Sequence, residues 1–194
     1  MSRHSTLTDP AIHEPKGIST ATNGQVYAAN GAGTGAWSAQ ATIPSGAVIQ
    51  TIKSIVQSTS TGTALIPYDN TIPQNTEGTQ FFAITITPGT IGNRIRILCL
   101  AYGAYSVASP LTMALFQDAT ASALAAVGEQ TTVVNQAKEL TLIYEYTIAS
   151  TLATTFYIRI GGSNAGTYTL NGNAGLATYG GTATSILSVQ EIKA

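Results

Sequence analysis

The side chains best suited to nucleophilic or metal chemistry are scarce and widely separated in this sequence. It contains two histidines, His4 and His13, and a single cysteine, Cys99. Structural zinc takes about four ligands at close spacing, and serine hydrolysis needs a base that an acid orients on a rigid scaffold. Only His13-Glu14 places a base beside an acid, and it lies in a segment that we expect to be irregular. The sequence therefore predicts no catalytic residue, no metal site, no cofactor and no enzyme.

The carboxylates offer an enzymatic alternative. A glycosidase places two of them about 5–9.5 Å apart across a cleft. Asp69 and Glu77 share one loop and form the best available pair, which would make the chain a depolymerase. The competing interpretation is that Asp69 and Asn70 bind the backbone of their own loop, as such side chains do in turns.

Glycines and tyrosines supply two further candidates. Gly31, Gly33 and Gly35 form G-x-G-x-G, but no strand–helix unit surrounds them and no lysine follows at the P-loop position. The pattern predicts flexible chain or a tight turn. Tyr168 and Tyr179, near glycine-rich turns, are predicted to be exposed, where they could stack on sugars or fill a subunit interface. Ordinary packing is the alternative for both tyrosines.

Composition limits the classes of partner. Of 194 residues, 44% are hydrophobic but only 9% are charged, and the net charge is −1. Soluble domains usually have about 25% charged residues. A chain without excess positive charge has no electrostatic attraction for nucleic acid or anionic membranes. So few charges predict a surface buried by identical subunits or a large assembly; a surface kept soluble by Thr, Ser and Asn is the alternative.

Cys99 and the N-terminus add two expectations. One cysteine excludes an internal disulfide, and its place in the most apolar run predicts a small buried hydrophobic residue. No apolar stretch follows Arg3 and His4, and no run reaches the roughly 20 apolar residues of a membrane span. We expect a protein that is made and used in solution.

Residues 1–43 are predicted to be an extended, irregular arm. Pro10 and Pro15 prevent a helix over 8–16, and the segment has too few large aliphatic residues to fold alone. Apolar side chains nevertheless recur along it: Ile12, Ile18, Val26, Tyr27 and Trp37. Such anchors on an extended polar arm predict docking onto another chain, by strand addition or in a groove. The alternative is a tail that folds back on its own domain.

Residues 44–194 show the pattern of an all-β domain, with two central strands over 79–87 and 94–100 joined by a turn at Pro88-Gly89. Apolar residues alternate in the first of these strands. In the second, Arg94 and Arg96 predict that one face is exposed to solvent at the start of the strand, and the apolar residues 98–100 predict that both faces are covered further on. Further strands are predicted over 47–58, 64–68, 111–116, 139–148, 155–160, 167–170 and 183–193, although the apolar spacing over 47–58 also suits one face of a helix. Residues 119–127 fit a helical turn, a short strand or a loop, and Asn171-Gly172 predicts a hairpin. Short strands separated by turns indicate an antiparallel two-sheet β-sandwich of jelly-roll type.

With these residues in view, the chain resembles a family of short bacteriophage virion proteins that serve as head fibres, capsid decoration proteins or tail-fibre-like proteins. Two blocks of sequence carry the resemblance. The block in the arm consists of LTDPAIHEPKG at 7–17, GQVY at 24–27 and GTGAW at 33–37. The block in the domain consists of IPYDNTIPQNTEG at 66–78, ALFQD at 114–118 and LNG at 170–172.

The resemblance implies a homotrimer of β-sandwich domains, residues 44–194, that projects from the virion surface. The arm, residues 1–43, would dock on the major capsid protein or another virion protein, with Tyr27 and Trp37 as apolar anchors. The residues expected to set its path are Asp9, Pro10, His13, Glu14, Pro15 and Gly17. A tail-fibre-like adhesin, which binds host surface glycan through loops of the same domain, is the rival hypothesis.

Overall fold

The computed structural model of the chain describes residues 21–29 and 35–194. The chain divides into two compact units, Met1–Pro44 and Ser45–Ala194. The roles that we assigned to the two parts, anchoring and trimerisation, stay predictions.

In the first unit two short strands form an antiparallel hairpin, β1 (Gln25–Ala29) and β2 (Gly35–Ala39). Tyr27 and Trp37 lie opposite each other, and their rings meet edge-on with centroids 5.3 Å apart. Cross-strand aromatic pairs of this kind stabilise paired strands. We predicted an irregular arm here and missed the strand pair, because two such short strands leave almost no periodic signal.

The second unit consists of strands and one short 3-10 helix, Tyr179–Gly181. The longer strands are β3 (Val48–Val56), β5 (Thr79–Ile86), β6 (Arg94–Tyr105), β7 (Ser109–Gln117), β8 (Ala125–Thr131), β9 (Ala137–Thr147), β10 (Thr154–Gly162) and β14 (Ser185–Ile192). The short strands are β4 (Ser60–Gly62), β11 (Tyr168–Leu170), β12 (Gly172–Asn173) and β13 (Leu176–Ala177).

The eight longer strands form two antiparallel sheets. In the β6 sheet the order is β3-β14-β6-β9, and β11 and β4 continue it beyond the end of β14. In the β7 sheet the order is β5-β10-β7-β8. Consecutive strands β5 and β6 lie in opposite sheets, so the chain crosses the sandwich between them. This order is that of a jelly roll and confirms the predicted antiparallel two-sheet β-sandwich.

The core lies between the sheets and is built by alternation along the strands. Phe82, Ile84 and Ile86 of β5 face β6 residues such as Ile95 and Ile97, and all five are buried. Cys99 belongs to the same cluster, where burial raises the pKa of its thiol to about 12. The prediction that Cys99 is a small buried hydrophobic residue is therefore confirmed.

The region 59–68 differs from the prediction. We expected a strand over 64–68, but the strand in this region is β4, at Ser60–Gly62, and residues 63–68 form a loop. The backbone there makes single bonds to separate partners: Ile66 N–H donates to the Gly162 carbonyl at 3.1 Å, and Gly78 N–H donates to the Leu65 carbonyl at 2.8 Å. Apolar residues in this loop cover the outside of the β7 sheet, where Ile66 is buried against Ala114 and Phe116.

Two other local predictions are corrected. The hairpin turn lies at Ala174-Gly175, between β12 and β13, and both residues have positive φ. Asn171 is instead a buried residue whose side chain links neighbouring strands. Its Nδ2 donates to the Val56 carbonyl at 2.8 Å, and its Oδ1 accepts from Ser185 Oγ at 2.7 Å. Of the alternatives for 119–127, the helical turn is excluded, because residues 119–124 contain no helix and β8 begins at Ala125.

The buried carboxylate of Glu191 fixes the segment in which the chain crosses from one sheet to the other, between β5 and β6. Glu191 accepts hydrogen bonds from Asn93 Nδ2 at 2.7 Å, Gly89 N–H at 2.9 Å, Gln50 Nε2 at 2.6 Å and Thr90 N–H at 3.2 Å. Burial by itself would raise the pKa of Glu191, but these donors together lower the pKa below its ordinary value. The ionised side chain thus joins the end of β14 to the loop at 87–93.

We expect Glu191→Gln to lower the free energy of unfolding by about 2–3 kcal/mol at pH 7, because an amide cannot accept from all four donors. A depressed pKa contributes stability above the unfolded value, about 4.3, and that contribution is lost as the pH falls through the folded value. The two proteins should therefore converge in stability toward pH 3. Denaturant titrations at one protein concentration measure this, with the exposed Glu139→Gln as control; parallel pH profiles for wild type and Glu191→Gln would contradict it.

Candidate functional site

The outer face of the β6 sheet carries aliphatic side chains where alternation would normally place polar ones. Lys53, Ser188, Leu98 and Ile143 form one row across β3, β14, β6 and β9. The next row toward the end of β14 at Ser185 is Ile55, Ile186, Leu100 and Thr141. Five aliphatic residues from these rows form what we call the aliphatic band: Ile55, Ile186, Leu98, Leu100 and Ile143.

The aliphatic band is open to solvent. Ile55 and Ile143, on the two outer strands, are 62% and 65% exposed, whereas Leu98, Leu100 and Ile186 between them are half-buried. A hollow of about 580 Å³ lies over the centre of the sheet. Isolated exposed aliphatic residues are ordinary, but a contiguous group on one sheet face is a feature of contact surfaces.

Charged residues lie at both ends of this face. Arg94 Nη1 lies 3.2 Å from Glu145 Oε2, and Arg96 Nε bonds the other oxygen of the same carboxylate. The hydrogen bond from Arg96, with the positive charges of both arginines, lowers the pKa of Glu145. Lys53 and Glu139 also face outward, on β3 and β9. The face therefore carries both signs of charge around an apolar centre.

Sequence reasoning missed this face although a signal was present. We interpreted 98–100 as a stretch with two covered faces, but only Cys99 is fully buried there. Ile143, between Leu142 and Tyr144, is the partner of Leu98 on β9 and gives a second apolar run. Two adjacent strands that both lose their alternation indicate an outer face that is apolar.

The predicted arm residues fall into two groups. Asp9, Pro10, His13, Glu14, Pro15 and Gly17 lie outside the described residues. Tyr27 and Trp37 are brought together across β1 and β2. Their role as anchors stays a prediction.

Of the candidate catalytic pair, Asp69 and Glu77, each carboxylate makes its hydrogen bonds within its own part of the loop, and only Asp69 lines the groove beside Tyr68. Asp69 Oδ1 accepts from Thr71 N–H at 2.8 Å and from Thr71 Oγ1 at 2.6 Å, and the Thr71 hydroxyl and amide lower the pKa of Asp69. Glu77 Oε2 accepts from Gln74 N–H at 2.9 Å. Each carboxylate thus binds the backbone of its own loop, which was the competing interpretation for Asp69. Over 21–29 and 35–194, no cluster of three His, Cys, Asp or Glu side chains could hold a metal ion.

The two tyrosines predicted to be exposed differ. Tyr179 is 73% exposed, and its hydroxyl lies 3.5 Å from that of Tyr102. Tyr168 is buried, with its ring edge-on to Phe81 at a centroid distance of 5.4 Å, so its predicted exposure is wrong. Burial raises the pKa of Tyr168, and in the described part of the chain its hydroxyl has no hydrogen-bond partner. The β11 strand that carries it is central, between β6 and β4.

No protein-family model matches the chain, and no curated protein matches it. Among the solved structures that show slight similarity to this chain are the following two. Dimeric latent PorU from Porphyromonas gingivalis has a TM-score of 0.37 and 11% identity over 77% of this chain, which spans 14% of that one. Infectious bursal disease virus, Gx strain, has a TM-score of 0.34 and 11% identity over 84% of this chain, which spans 40% of that one. At this level neither similarity indicates a function. No helix of the described residues is long and apolar enough to cross a membrane.

Because the buried Tyr168 hydroxyl has no hydrogen-bond partner among residues 21–29 and 35–194, we expect Tyr168→Phe to keep or raise the free energy of unfolding, by up to about 1 kcal/mol. Tyr105→Phe is the matched control, since the buried Tyr105 hydroxyl donates to the Asn164 carbonyl at 2.6 Å, and its loss should cost about 1 kcal/mol. Denaturant unfolding of both variants tests the contrast. Equal destabilisation by the two changes would show that Tyr168 has a polar partner.

Proposed function

We propose that this chain is a structural bacteriophage virion protein, a homotrimeric capsid decoration or head-fibre protein. Residues 1–43 dock on the shell, and the jelly roll of residues 44–194 projects outward. In this proposal the chain has no catalytic activity and needs no cofactor. Its partners are two further copies of itself and the major capsid protein or another virion protein.

The observation that carries the trimer is the aliphatic band. Burying an exposed isoleucine contributes about 1.5–3 kcal/mol, so Ile55 and Ile143 alone offer a substantial driving force for association. The half-buried Leu98, Leu100 and Ile186 extend the same surface across the sheet. A chain in which only 9% of residues are charged has little else to keep such surfaces apart.

Charge on the β6-sheet face supports a second copy of this chain as the occupant. Lys53, Arg94 and Arg96 contribute positive charge and Glu139 and Glu145 negative charge, so the face is nearly neutral. A strongly acidic or basic partner would find no matching field there, whereas another copy brings both signs. Lys53 and Glu139 lie on the two outer strands, so each can meet an opposite charge of a neighbouring copy.

The arm supports the virion part of the proposal. The sequence blocks at 7–17, 24–27 and 33–37 are those that resemble virion-anchoring segments. In the described residues of this unit, the Tyr27–Trp37 pair gives a compact aromatic feature, and Tyr27 and Val26 are exposed. An aromatic pair with one exposed ring, Tyr27, and one half-buried ring, Trp37, on a two-stranded hairpin is suited to a contact with another protein.

For the trimer, we expect the wild-type protein to sediment at three times the 20.0 kDa chain mass. Ile143→Lys should weaken this association by at least about tenfold, because it buries a charge in an apolar contact. The matched control is Ile91→Lys, which makes the same change at a 63% exposed isoleucine in the 87–93 loop. Sedimentation equilibrium measures both. A monomeric wild type would refute the trimer. An intact trimer of Ile143→Lys would refute the proposal that the aliphatic band forms the contact between copies.

For the arm, we expect deletion of residues 2–40 to abolish binding to phage particles that lack the protein, while the full chain binds. The double variant Tyr27→Ala/Trp37→Ala in the full chain should weaken binding in the same direction, since it removes both anchors. Particle co-sedimentation is the measurement, with Ile91→Lys again as a surface control. Undiminished binding of the deletion variant would rule out anchoring by the arm.

A further inference from the structure

The outer face of the β7 sheet is shaped by a fixed loop, residues 63–78. Ile66 is fully buried in it against Ala114 and Phe116. Further along, Asn75 N–H donates to the Ala121 carbonyl at 2.7 Å, and Ala123 N–H donates to the Pro73 carbonyl at 2.9 Å. The loop is therefore attached at several points along its length, and the surface beside it is preformed.

A groove of about 210 Å³ lies between this loop and strands β7 and β8. Tyr68, 70% exposed, and Asp69 line it from the loop. Thr112 of β7 and Gly128 of β8 are opposite each other in the strand register and line it from the sheet. The groove thus combines an aromatic ring, a carboxylate and a hydroxyl around a glycine.

Gly128 has no reason in the fold to be glycine. A Cβ atom at Gly35, Gly62, Gly103, Gly161, Gly162 or Gly172, the other strand glycines described, would overlap neighbouring atoms. A Cβ at Gly128 would meet only ordinary contacts: the Leu111 carbonyl oxygen at 3.5 Å, and Thr112 Oγ1 and Tyr68 Cε2 both at 3.9 Å. The φ of Gly128 is not left-handed. Glycine weakens a strand interior and often marks a bulge, a tight bend or the close approach of a ligand or another backbone. The register of β7 and β8 runs through Gly128 without a bulge, which favours close approach.

Hydrogen bonds within the protein fix the position of the groove residues Tyr68 and Asp69. Both hydrogen bonds that fix Asp69 go to Oδ1, from the amide and hydroxyl of Thr71. In the described part of the chain Oδ2 accepts no hydrogen bond, so one carboxylate oxygen is free for a ligand hydroxyl. The Tyr68 backbone is fixed as well, since its N–H donates to Ser163 Oγ at 3.3 Å.

We propose that this groove is a saccharide-binding site in which one sugar ring lies over Gly128 against the Tyr68 ring, with hydroxyls bonded to Asp69 and Thr112. A pyranose offers an apolar C–H face for an aromatic ring and hydroxyl donors at its rim for a carboxylate. A quaternary ammonium ligand fits less well, because such groups are recognised by cages of several aromatic faces and this groove has one ring. The proposal goes beyond the structural role and does not depend on trimer formation, because the aliphatic band is on the other sheet.

The test is saturation-transfer difference NMR on the full-length protein with the methyl glycosides of glucose, galactose, mannose, rhamnose and N-acetylglucosamine, and with choline as the cationic probe. We expect at least one glycoside to give a signal with the wild type. That signal should fall at least about fivefold in Tyr68→Ala, which removes the ring, and in Gly128→Val, which fills the floor. Tyr179→Ala, at an exposed tyrosine elsewhere, is the matched control and should keep it.

Thermal unfolding of Gly128→Ala tests separately the premise that the fold does not require glycine at position 128. Its midpoint should equal or exceed that of the wild type, since alanine fits the space and loses less entropy on folding. A lower midpoint would show that the fold requires Gly128 and would remove the argument. A signal with choline and none with the glycosides, no signal with any probe, or a glycoside signal unchanged in both Tyr68→Ala and Gly128→Val would overturn the saccharide site.

Discussion

The inward–outward alternation of β6 is the constraint on which the rest of this jelly roll depends. The strand is paired along one side by β9 and along the other by β14 and then β11, so its backbone groups are bonded on both sides and it cannot rotate. Its inward residues, among them Ile95, Ile97 and Cys99, join the β7 sheet in one core. Its outward residues, Leu98 and Leu100, are by the same geometry directed away from that core. The aliphatic band is therefore a consequence of register, because a slip by one residue would exchange the two sets.

The outer faces of the two sheets are covered to different extents. This difference distinguishes the aliphatic band on the β6 sheet from the groove beside Tyr68 on the β7 sheet. Over the β7 sheet the 63–78 loop buries Ile66, Ala114 and Phe116, so the chain covers that face itself and leaves only the groove beside Tyr68. Over the β6 sheet no comparable loop of the jelly-roll unit buries Ile55 and Ile143. One face is thus completed within the chain, and the other has the character of a surface that a neighbouring molecule completes.

Much of the fold could be predicted from the sequence where alternation was long and regular, as in β5, β9 and β10. Prediction failed where backbone groups make isolated hydrogen bonds to separate partners instead of the regular ladder of a strand. Residues 64–68 have strand-like composition, but Leu65 and Ile66 bond to Gly78 and Gly162 separately. Asn171-Gly172 has turn chemistry, but the Asn171 side chain is used to join β3 to β14. The aliphatic band left only an indirect signal, the apolar runs on β6 and β9, because strand pairing decides which of those residues become neighbours. The groove beside Gly128 left no local signal, since it brings a distant loop onto β7 and β8.

The positions of the band and the groove have a mechanical consequence for a trimer. Copies that bury the β6-sheet face of each jelly roll would leave the opposite β7-sheet face turned away from the contact. The Tyr68 groove would then stay accessible on every copy, and three identical weak sites on one particle-bound trimer would act together through a high effective concentration. Assembly of the trimer and binding of a saccharide would in that arrangement need no shared residues. A change in the groove would alter recognition without weakening assembly, because the core between the sheets keeps the two surfaces apart.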